Sequence, residues 1–365
     1  MHDDICYNIC METLGYNEFF KSASEMVQAD GFTVARVITE HRGVYKVKNL
    51  TGEYSAKVTG KHMFTATSRE NYPAVGDWVT IQVVDRENAI IHKILPRKTI
   101  LKRKYNYKND YQVIATNITV AFIVESSDRD FSLHRFERYV ALAHDGGVQP
   151  TIILNKIDLL SQEELALKIT QIQERFSNVA VLVTSTITNN GLDELAAFIE
   201  KDKTYCFLGS SGVGKSTLIN TLLGKHALAT GEISLQSGRG KHITTSREMY
   251  FLKNGGIVID NPGMREVGMT DAVAGVDTLF DEIVTLAKSC KYPDCTHTHE
   301  PGCNITPKIN AGALRADKFS SYVNLKKEAD FYEMTELEKR NKDKKFGKFL
   351  KKAKKDLGAC GYEDY

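Results

Sequence analysis

The stretch Gly209-Ser210-Ser211-Gly212-Val213-Gly214-Lys215-Ser216 has the residue types and spacing to hold a polyphosphate. Its glycines let successive backbone N–H groups turn inward on phosphate oxygens, and a helix that follows adds partial positive charge at its N-terminus. The strand-like TYCFL before it and the helical TLINTLLG after it give the context that separates a phosphate loop from a chance glycine-rich turn. In such a loop Lys215 reaches the β- and γ-phosphates as a point charge, while the Ser216 hydroxyl ligates Mg²⁺. The expected phosphate-binding run is therefore Gly209 through Thr217.

Three other stretches complete a nucleotide site. Asn155-Lys156-Ile157-Asp158 ends the strand-like TIIL. A carboxylate there accepts two hydrogen bonds from guanine N1–H and N2–H₂, whereas adenine would set a lone pair against a buried charge. Ser185-Thr186 closes the next strand, where a loop backing the base is expected. Asp260-Asn261-Pro262-Gly263 follows GIVI; the Asp would hold Mg²⁺ through water and the Gly263 N–H would sense the γ-phosphate. Between the phosphate loop and Asp260, the polar stretch Gly231–Ser246 reads as a switch loop with a threonine able to reach Mg²⁺. The order is unusual, since the guanine motifs precede the phosphate motifs. A permuted chain keeps each strand–loop contact while moving the ends, so the chemistry is retained.

A second chemistry is written in Cys290, Cys295, Cys303, His297 and His299, packed into 14 residues. Three thiolates and one imidazole suit tetrahedral Zn²⁺, and a filled set leaves no position for water, so the expected role is structural. Spacing alone leaves open which histidine is the fourth ligand.

These groups need scaffolds. Apolar β-branched runs at 118–124, 151–154, 179–184 and 205–208 alternate with amphipathic stretches at 134–143, 163–176 and 192–199, which predicts a largely parallel sheet over residues 112–282. Lys253-Asn254-Gly255 between two apolar runs predicts one antiparallel pair within it. Upstream, about five short alternating segments over 31–104 predict a small all-β barrel, with basic residues Lys93, Arg97, Lys98, Lys102, Arg103 and Lys104 along its rim. Residues 1–30 read as an arm, 283–330 as helices around the Cys/His cluster, and 331–365 as a basic extension with ten Lys/Arg between Lys339 and Lys355.

Forty-eight Lys and Arg against 46 Asp and Glu leave a net charge of +2, and 42% hydrophobic with 26% charged residues excludes disordered and fibrous classes. No apolar run is long enough to predict a transmembrane helix. The acidic start MHDD lacks the basic region of a signal peptide, and seven cysteines is an odd number. A cytoplasmic, reducing location is expected, with no membrane partner and nothing that demands more than a monomer.

The NKID, GSSGVGKS and DNPG order, the barrel and the Cys-x₄-Cys-x-His-x₅-Cys pattern together resemble one family over residues 31–330: the circularly permuted ribosome small-subunit-dependent GTPase A proteins (RsgA, also called YjeQ). The resemblance implies a multidomain fold of an N-terminal OB-fold barrel, a central α/β circularly permuted P-loop GTPase domain and a C-terminal α-helical zinc-binding domain. It implies GTP hydrolysis to GDP and phosphate, stimulated by the small ribosomal subunit during late maturation, with that subunit and its rRNA as partners. It selects His297 as the fourth zinc ligand. Met264 stands where many GTPases carry a water-orienting Gln, and the family pattern points to His242 for that role, with Thr244 as the switch Mg²⁺ ligand beside an equally placed Thr245. The basic extension departs from the typical member. Competing readings are a GTP-dependent metallochaperone and a GTP-dependent RNA-binding switch.

Overall fold

The computed structural model describes residues 11–25, 31–41, 43–60, 68–104, 111–128, 131–224, 247–261 and 272–333, together with 338, 341 and 344. A barrel is built from β1 (Thr33–His41), β2 (Val44–Lys48), β3 (Glu53–Val58), β4 (Trp78–Val83) and β5 (Asn88–Ile94). Neighbours run β1-β2-β3-β5-β4, and β4 pairs back onto β1 to close it. Only the β3–β5 pairing is parallel. The alternation read in the sequence points one side of each strand inward: Val37, Tyr45, Val47, Tyr54, Ala56, Val79, Ile81 and Ile91 fill the lumen. The N-terminal arm contributes a short helix, α1 (Glu18–Glu25), and packs Leu14 and Phe20 against Trp78 and Leu95 at the barrel end.

A hairpin of β6 (Ile100–Lys104) and β7 (Tyr111–Thr116) leads from the barrel into the α/β region. There β8 (Val120–Ser126), β9 (Gln149–Asn155), β10 (Ala180–Thr184), β11 (Thr204–Leu208), β12 (Arg247–Phe251) and β13 (Ile257–Asp260) lie in the order β10-β9-β8-β11-β13-β12. Five are parallel neighbours and β12 is antiparallel to β13. The unbroken apolar runs follow from burial on both faces. Val120, Phe122 and Val124 face one core with Tyr205, Phe207 and Val258, while Ala121 and Ile123 face the other with Cys206, Leu208 and Ile259. Helices α2 (Leu133–Asp145) and α3 (Gln162–Arg175) cover the second face, and α4 (Leu192–Phe198) and α5 (Lys215–Leu223) the first. Ser161 and Glu164 form a reciprocal capping box that fixes where α3 begins.

The barrel and the α/β sheet are not separate sheets. β12 pairs with β13 on one side and with β1 of the barrel on the other, through Thr39↔Glu248 and Glu40↔Arg247, giving one sheet of eleven strands. Arg36 on β1 reinforces this junction. Its guanidinium, 1% exposed, donates to the carbonyls of Leu14, Gly76 (3.4 Å) and Asn117 (3.4 Å) and to Thr204 Oγ1 (2.9 Å). Arm, barrel, hairpin end and the strand before the phosphate loop therefore share one cation. It lies over the Trp78 ring at 5.6 Å, and burial lowers its pKa to about 9, with Asp77 pulling the other way.

Helices α6 (Val273–Leu279), α7 (Asp281–Ala287), α8 (Ile305–Asn310) and α9 (Ala316–Glu333) form a third unit around Val276, Phe280, Ile283, Ile305 and Leu325. It docks on α2 through the two Arg138–Glu328 bonds of 2.7 and 2.6 Å. Arg175 joins the dock, donating 2.5 Å to Glu137 and 2.9 Å to Ser321. The basic barrel rim is partly consumed by structure. Arg97 is bound to Asp77 and to the Glu70 and Tyr72 carbonyls, Lys102 to Glu70 and Arg103 to Gln112, leaving Lys93 and Lys98 exposed. Among the described residues no helix is long and apolar enough to cross a membrane. Replacing Arg36 with Met strands several buried carbonyls, and a loss of at least about 3 kcal/mol is expected; a urea titration showing an unshifted midpoint would contradict the role given to this cation.

Candidate functional site

The sheet order reverses between β8 and β11: β9 and β10 lie to one side of β8, β11 and β13 to the other. In open α/β sheets the crevice at the carboxyl ends beside such a reversal is where ligands bind. The sequence motifs all fall on this edge. Gly209–Gly214 follows β11, Glu125–Ser127 ends β8, Lys156–Asp158 follows β9, Ser185–Thr186 follows β10, and Asp260 ends β13.

The loop after β11 is shaped by contacts that exclude larger residues. Gly209 (φ 143°) would set a Cβ 2.3 Å from the Val124 carbonyl oxygen, and Gly214 (φ 100°) would set one 2.2 Å from Asn155 Nδ2. Gly214 caps α5 in the left-handed region, so the first-turn N–H groups of α5, including those of Ser216 and Thr217, face the loop rather than a helical carbonyl. Val213 is buried against the α4–α5 core, which anchors the loop's middle; Ser211 is half-buried and Gly212 exposed. Lys215 is buried and donates to the Gly209 (2.9 Å) and Ser210 (2.6 Å) carbonyls. Burial pushes its pKa down to about 8, against the attraction of Asp260 and Glu125.

Asn155 joins this loop to its neighbours. Its Nδ2 donates to the Val213 carbonyl at 2.8 Å, and its Oδ1 accepts from Thr184 Oγ1 at 2.9 Å. The side chain expected near a base is thus a strut between three loops. Lys156 adopts the left-handed conformation (φ 60°), which turns the chain so that Asp158 stands exposed. Its ammonium lies 3.5 Å from Asp128, and its carbonyl accepts from Ser127 Oγ at 2.6 Å. Ser185 Oγ donates to Asp158 Oδ1 at 2.5 Å while accepting from the N–H groups of Ile187 and Thr188, both at 3.2 Å. One oxygen of Asp158 is held and the other is left for a ligand. Thr186, half-buried, sits beside this pair.

Asp260 is 1% exposed, and neither carboxylate oxygen has a hydrogen-bond partner among the described residues. Burial raises its pKa to about 6; Lys215 opposes this and Glu248 adds to it. Ser210 Oγ and Asn261 Oδ1 are likewise buried without partners. Acceptors kept out of water at this cost mark a place built for a cation and its water shell. The donor set of Asp260 and the Ser216 hydroxyl, all oxygen, suits Mg²⁺. His242, Thr244 and Gly263, expected at this edge from the sequence, lie outside the described residues.

At the third unit, Cys290, Cys295, His297 and Cys303 place their ligand atoms within 4.8 Å of one another. His297 Nδ1 lies 3.6 Å from the sulfurs of both Cys290 and Cys303. Zn–S bonds of ~2.3 Å and a Zn–N bond of ~2.0 Å at a tetrahedral angle give about the same separation. The sulfurs also receive donors: Asn304 N–H to Cys290 (3.3 Å), and Thr306 N–H (3.5 Å) and Oγ1 (3.4 Å) to Cys303. Such contacts suit thiolates. His299 is exposed and turned to Thr298, so His297 is the histidine gathered with the three sulfurs. Glu300 shapes the ligand loop by accepting from the Thr296 hydroxyl and from the N–H groups of Thr296, Thr298 and His299. These bonds, the hydroxyl first, hold its carboxyl far below the ordinary range.

Sequence reasoning missed Glu125, Thr184 and Asn261. Glu125 is fully buried, bound by Arg135 at 2.8 Å, and its charge acts on Lys215. A carboxylate closing the apolar run AFIV was the available signal. Asn261 donates to Cys206 Sγ at 2.7 Å, so the residue after Asp260 is tied to the strand before the phosphate loop.

The profile of the RsgA GTPase family matches residues 94–270. A "Small ribosomal subunit biogenesis GTPase RsgA 2" of Lactiplantibacillus plantarum is 41% identical over 84% of this chain and 86% of its own length. A "Small ribosomal subunit biogenesis GTPase RsgA 1" of Bacteroides thetaiotaomicron is 37% identical over 93% and 96%. Among solved structures, YjeQ from Thermotoga maritima is similar in fold (TM-score 0.61, 23% identity, 82% of this chain and 98% of that one). YloQ, described as a circularly permuted GTPase, is similar at TM-score 0.58 and 22% identity, over 84% and 98%.

Folded Asp260 titrates near 6 against 3.8 for the unfolded side chain, so its proton favours folding at low pH and that support disappears as pH rises through about 6. In the nucleotide-free chain, Asp260→Asn is therefore expected to raise the melting temperature more at about pH 8 than at about pH 5. A thermal scan across that range checks the sign.

Proposed function

The chain belongs to the RsgA GTPase family, and from that premise we infer that it hydrolyses GTP in the biogenesis of the small ribosomal subunit, with the nucleotide lying across the carboxyl ends of β8 and β11. The observation that carries this reading is the Asn155 side chain, whose bond to the Val213 carbonyl draws the base-reading and phosphate-holding loops to one crevice.

In this assignment the phosphates lie in Gly209–Thr217, along the N–H groups that the α5 N-terminus leaves open. Lys215 exchanges its bonds to the Gly209 and Ser210 carbonyls for β- and γ-phosphate oxygens, which stabilises the charge developing on the transferred group. With a pKa of about 8 it is cationic at neutral pH. Ser216 and, through water, Asp260 would hold Mg²⁺, which supplies further charge neutralisation when bound. Asp158 accepts the guanine N1–H and N2–H₂, with Ser185 fixing its carboxylate and Thr186 backing the base. His242 orients the attacking water, because Met264 offers no hydrogen bond there; Thr244 is the switch ligand and the Gly263 N–H reads the γ-phosphate. The barrel is an OB-fold, supported by five-strand closure with one parallel pair, and provides contacts to rRNA. The third unit holds one structural Zn²⁺ in Cys290, Cys295, His297 and Cys303. The protein works in the cytoplasm, on the maturing subunit.

Met264 stands where many GTPases carry a water-orienting Gln, so intrinsic turnover should be slow and the small subunit should raise it. A GTPase assay titrated with purified small and large subunits tests this: a rate increase with the small subunit supports the assignment, and stimulation by the large subunit alone breaks it. Asp158→Asn should lower kcat/KM for GTP roughly 100-fold or more and shift preference to xanthosine triphosphate, whose 2-carbonyl accepts from the new amide. Unchanged selectivity would remove Asp158 from the base site.

A further inference from the structure

Asp260 has a second carboxylate for a neighbour. In the antiparallel register of β12 and β13, Glu248 stands directly opposite Asp260. Residues so paired put their side chains on one face of the sheet, with Cβ atoms about 4.5–5.5 Å apart. The burial pattern identifies that face. Met249 and Ile259, one step along, turn to the core under α2 and α3, whereas Tyr250 and Val258, two steps along, pack into the core under α5. Glu248 and Asp260 therefore lie on the side that carries Lys215 and Ser216. Like charges opposed in this way repel, and a buried carboxylate is costly without a cation or donors. Yet both Asp260 oxygens are buried without a hydrogen-bond partner among the described residues, and the Glu248 charge bears on them. Glu248, half-buried, is held firmly. Its Oε2 accepts from the Tyr250 hydroxyl at 2.8 Å, its backbone pairs with Thr39 of the barrel, and the adjoining Arg247 is bound to Glu40 at 3.1 Å. Burial first, then the bond to Glu248, pushes the Tyr250 pKa up, so this hydroxyl remains a donor.

We propose that Glu248 is a positioning residue for the Mg²⁺ of the nucleotide site, accepting hydrogen bonds from its water shell beside Asp260, with Tyr250 fixing the Glu248 carboxylate. This rests on the nucleotide reading above and extends the cation site onto β12. Mg²⁺ gives up its waters reluctantly and is held through few carboxylates, so its shell calls for acceptors beyond those that touch the ion. Lys215 is the cation that acts on Asp260, and in the nucleotide reading its bonds go to phosphate oxygens. Two facing carboxylates then carry an excess of negative charge that a hydrated divalent ion suits. A carboxylate placed only for packing or strand pairing would face a donor, not a second acid whose oxygens are unpaired.

The test uses the full chain saturated with GDP and Mn²⁺ as the probe, with binding followed by loss of the free-ion EPR signal. Glu248→Gln should weaken Mn²⁺ binding about 10- to 100-fold while GDP affinity in EDTA stays within about twofold of wild type. Tyr250→Phe should weaken Mn²⁺ binding in the same direction by a smaller factor. Free of nucleotide and metal, Glu248→Gln should melt no lower than wild type, because it removes repulsion from Asp260. Wild-type Mn²⁺ affinity in Glu248→Gln, or equal losses of Mn²⁺ affinity and of GDP affinity in EDTA, would overturn the proposal. The two readings fail differently. A wild-type chain that binds no GDP removes the nucleotide site and this proposal with it, whereas GDP and Mn²⁺ binding indifferent to Glu248 removes the proposal alone.

Discussion

Everything at the carboxyl edge depends on one carboxamide. Asn155 donates to the loop after β11 and accepts from the end of β10, while its own backbone continues into the turn that presents Asp158. It is buried, so each of these bonds forms in a low-dielectric setting where a broken one leaves an unpaired polar group. That cost holds the three loops in fixed relation before any ligand arrives. A site whose phosphate and base halves are already aligned loses less ordering entropy on binding. Gly214 is part of the same constraint, because any side chain there would occupy the space of the Asn155 amide.

A second constraint is the continuity of the sheet. Strand β12 has no free edge, being paired with β13 and with β1, so barrel and α/β region cannot hinge apart without breaking ladder hydrogen bonds. Arg36 adds to this by binding groups from four segments while its charge is sustained only by dipoles, one ring and the nearby Asp77. The third unit is joined differently. It docks on α2 and α3 through apolar packing of Ala141 against Ala272 and Val276, through the Arg138–Glu328 pair and through the Arg175–Ser321 bond, with Glu137 holding Arg175 in place. Nucleotide edge and barrel are thus coupled through the sheet, and the unit with the Cys/His cluster is held on the same frame by apolar packing and ion pairs.

Chemistry confined to a few neighbouring residues was legible in the sequence. The phosphate loop, the Asn-Lys-Ile-Asp turn and the three cysteines each depend on spacing over fewer than fifteen residues. The strand and helix succession was legible too, because two-sided burial forces long apolar runs and one-sided burial forces a helical period. The rim lysines and arginines were less legible. Arg97, Lys102 and Arg103 read as basic charge along the barrel rim, but each is bound to a partner that only the closed barrel and hairpin bring near. His297, which the resemblance selects and spacing alone does not, lies with the three sulfurs because the loop shaped by Glu300 turns His299 away.

By itself the sequence determined which groups are available, under the reading proposed above, for phosphate, guanine and a soft-ligand metal, and that the first two are encountered in permuted order. The tertiary structure decided which of those groups touch: that Asn155 braces the loop after β11, that Glu125 and Asp260 act on Lys215, and that Arg36 reaches Thr204 across 168 residues of chain. The reason is physical. Local spacing fixes what a loop can donate or accept, whereas the burial and pairing that set its charge state come from segments far away in the chain, and these leave no local pattern to read.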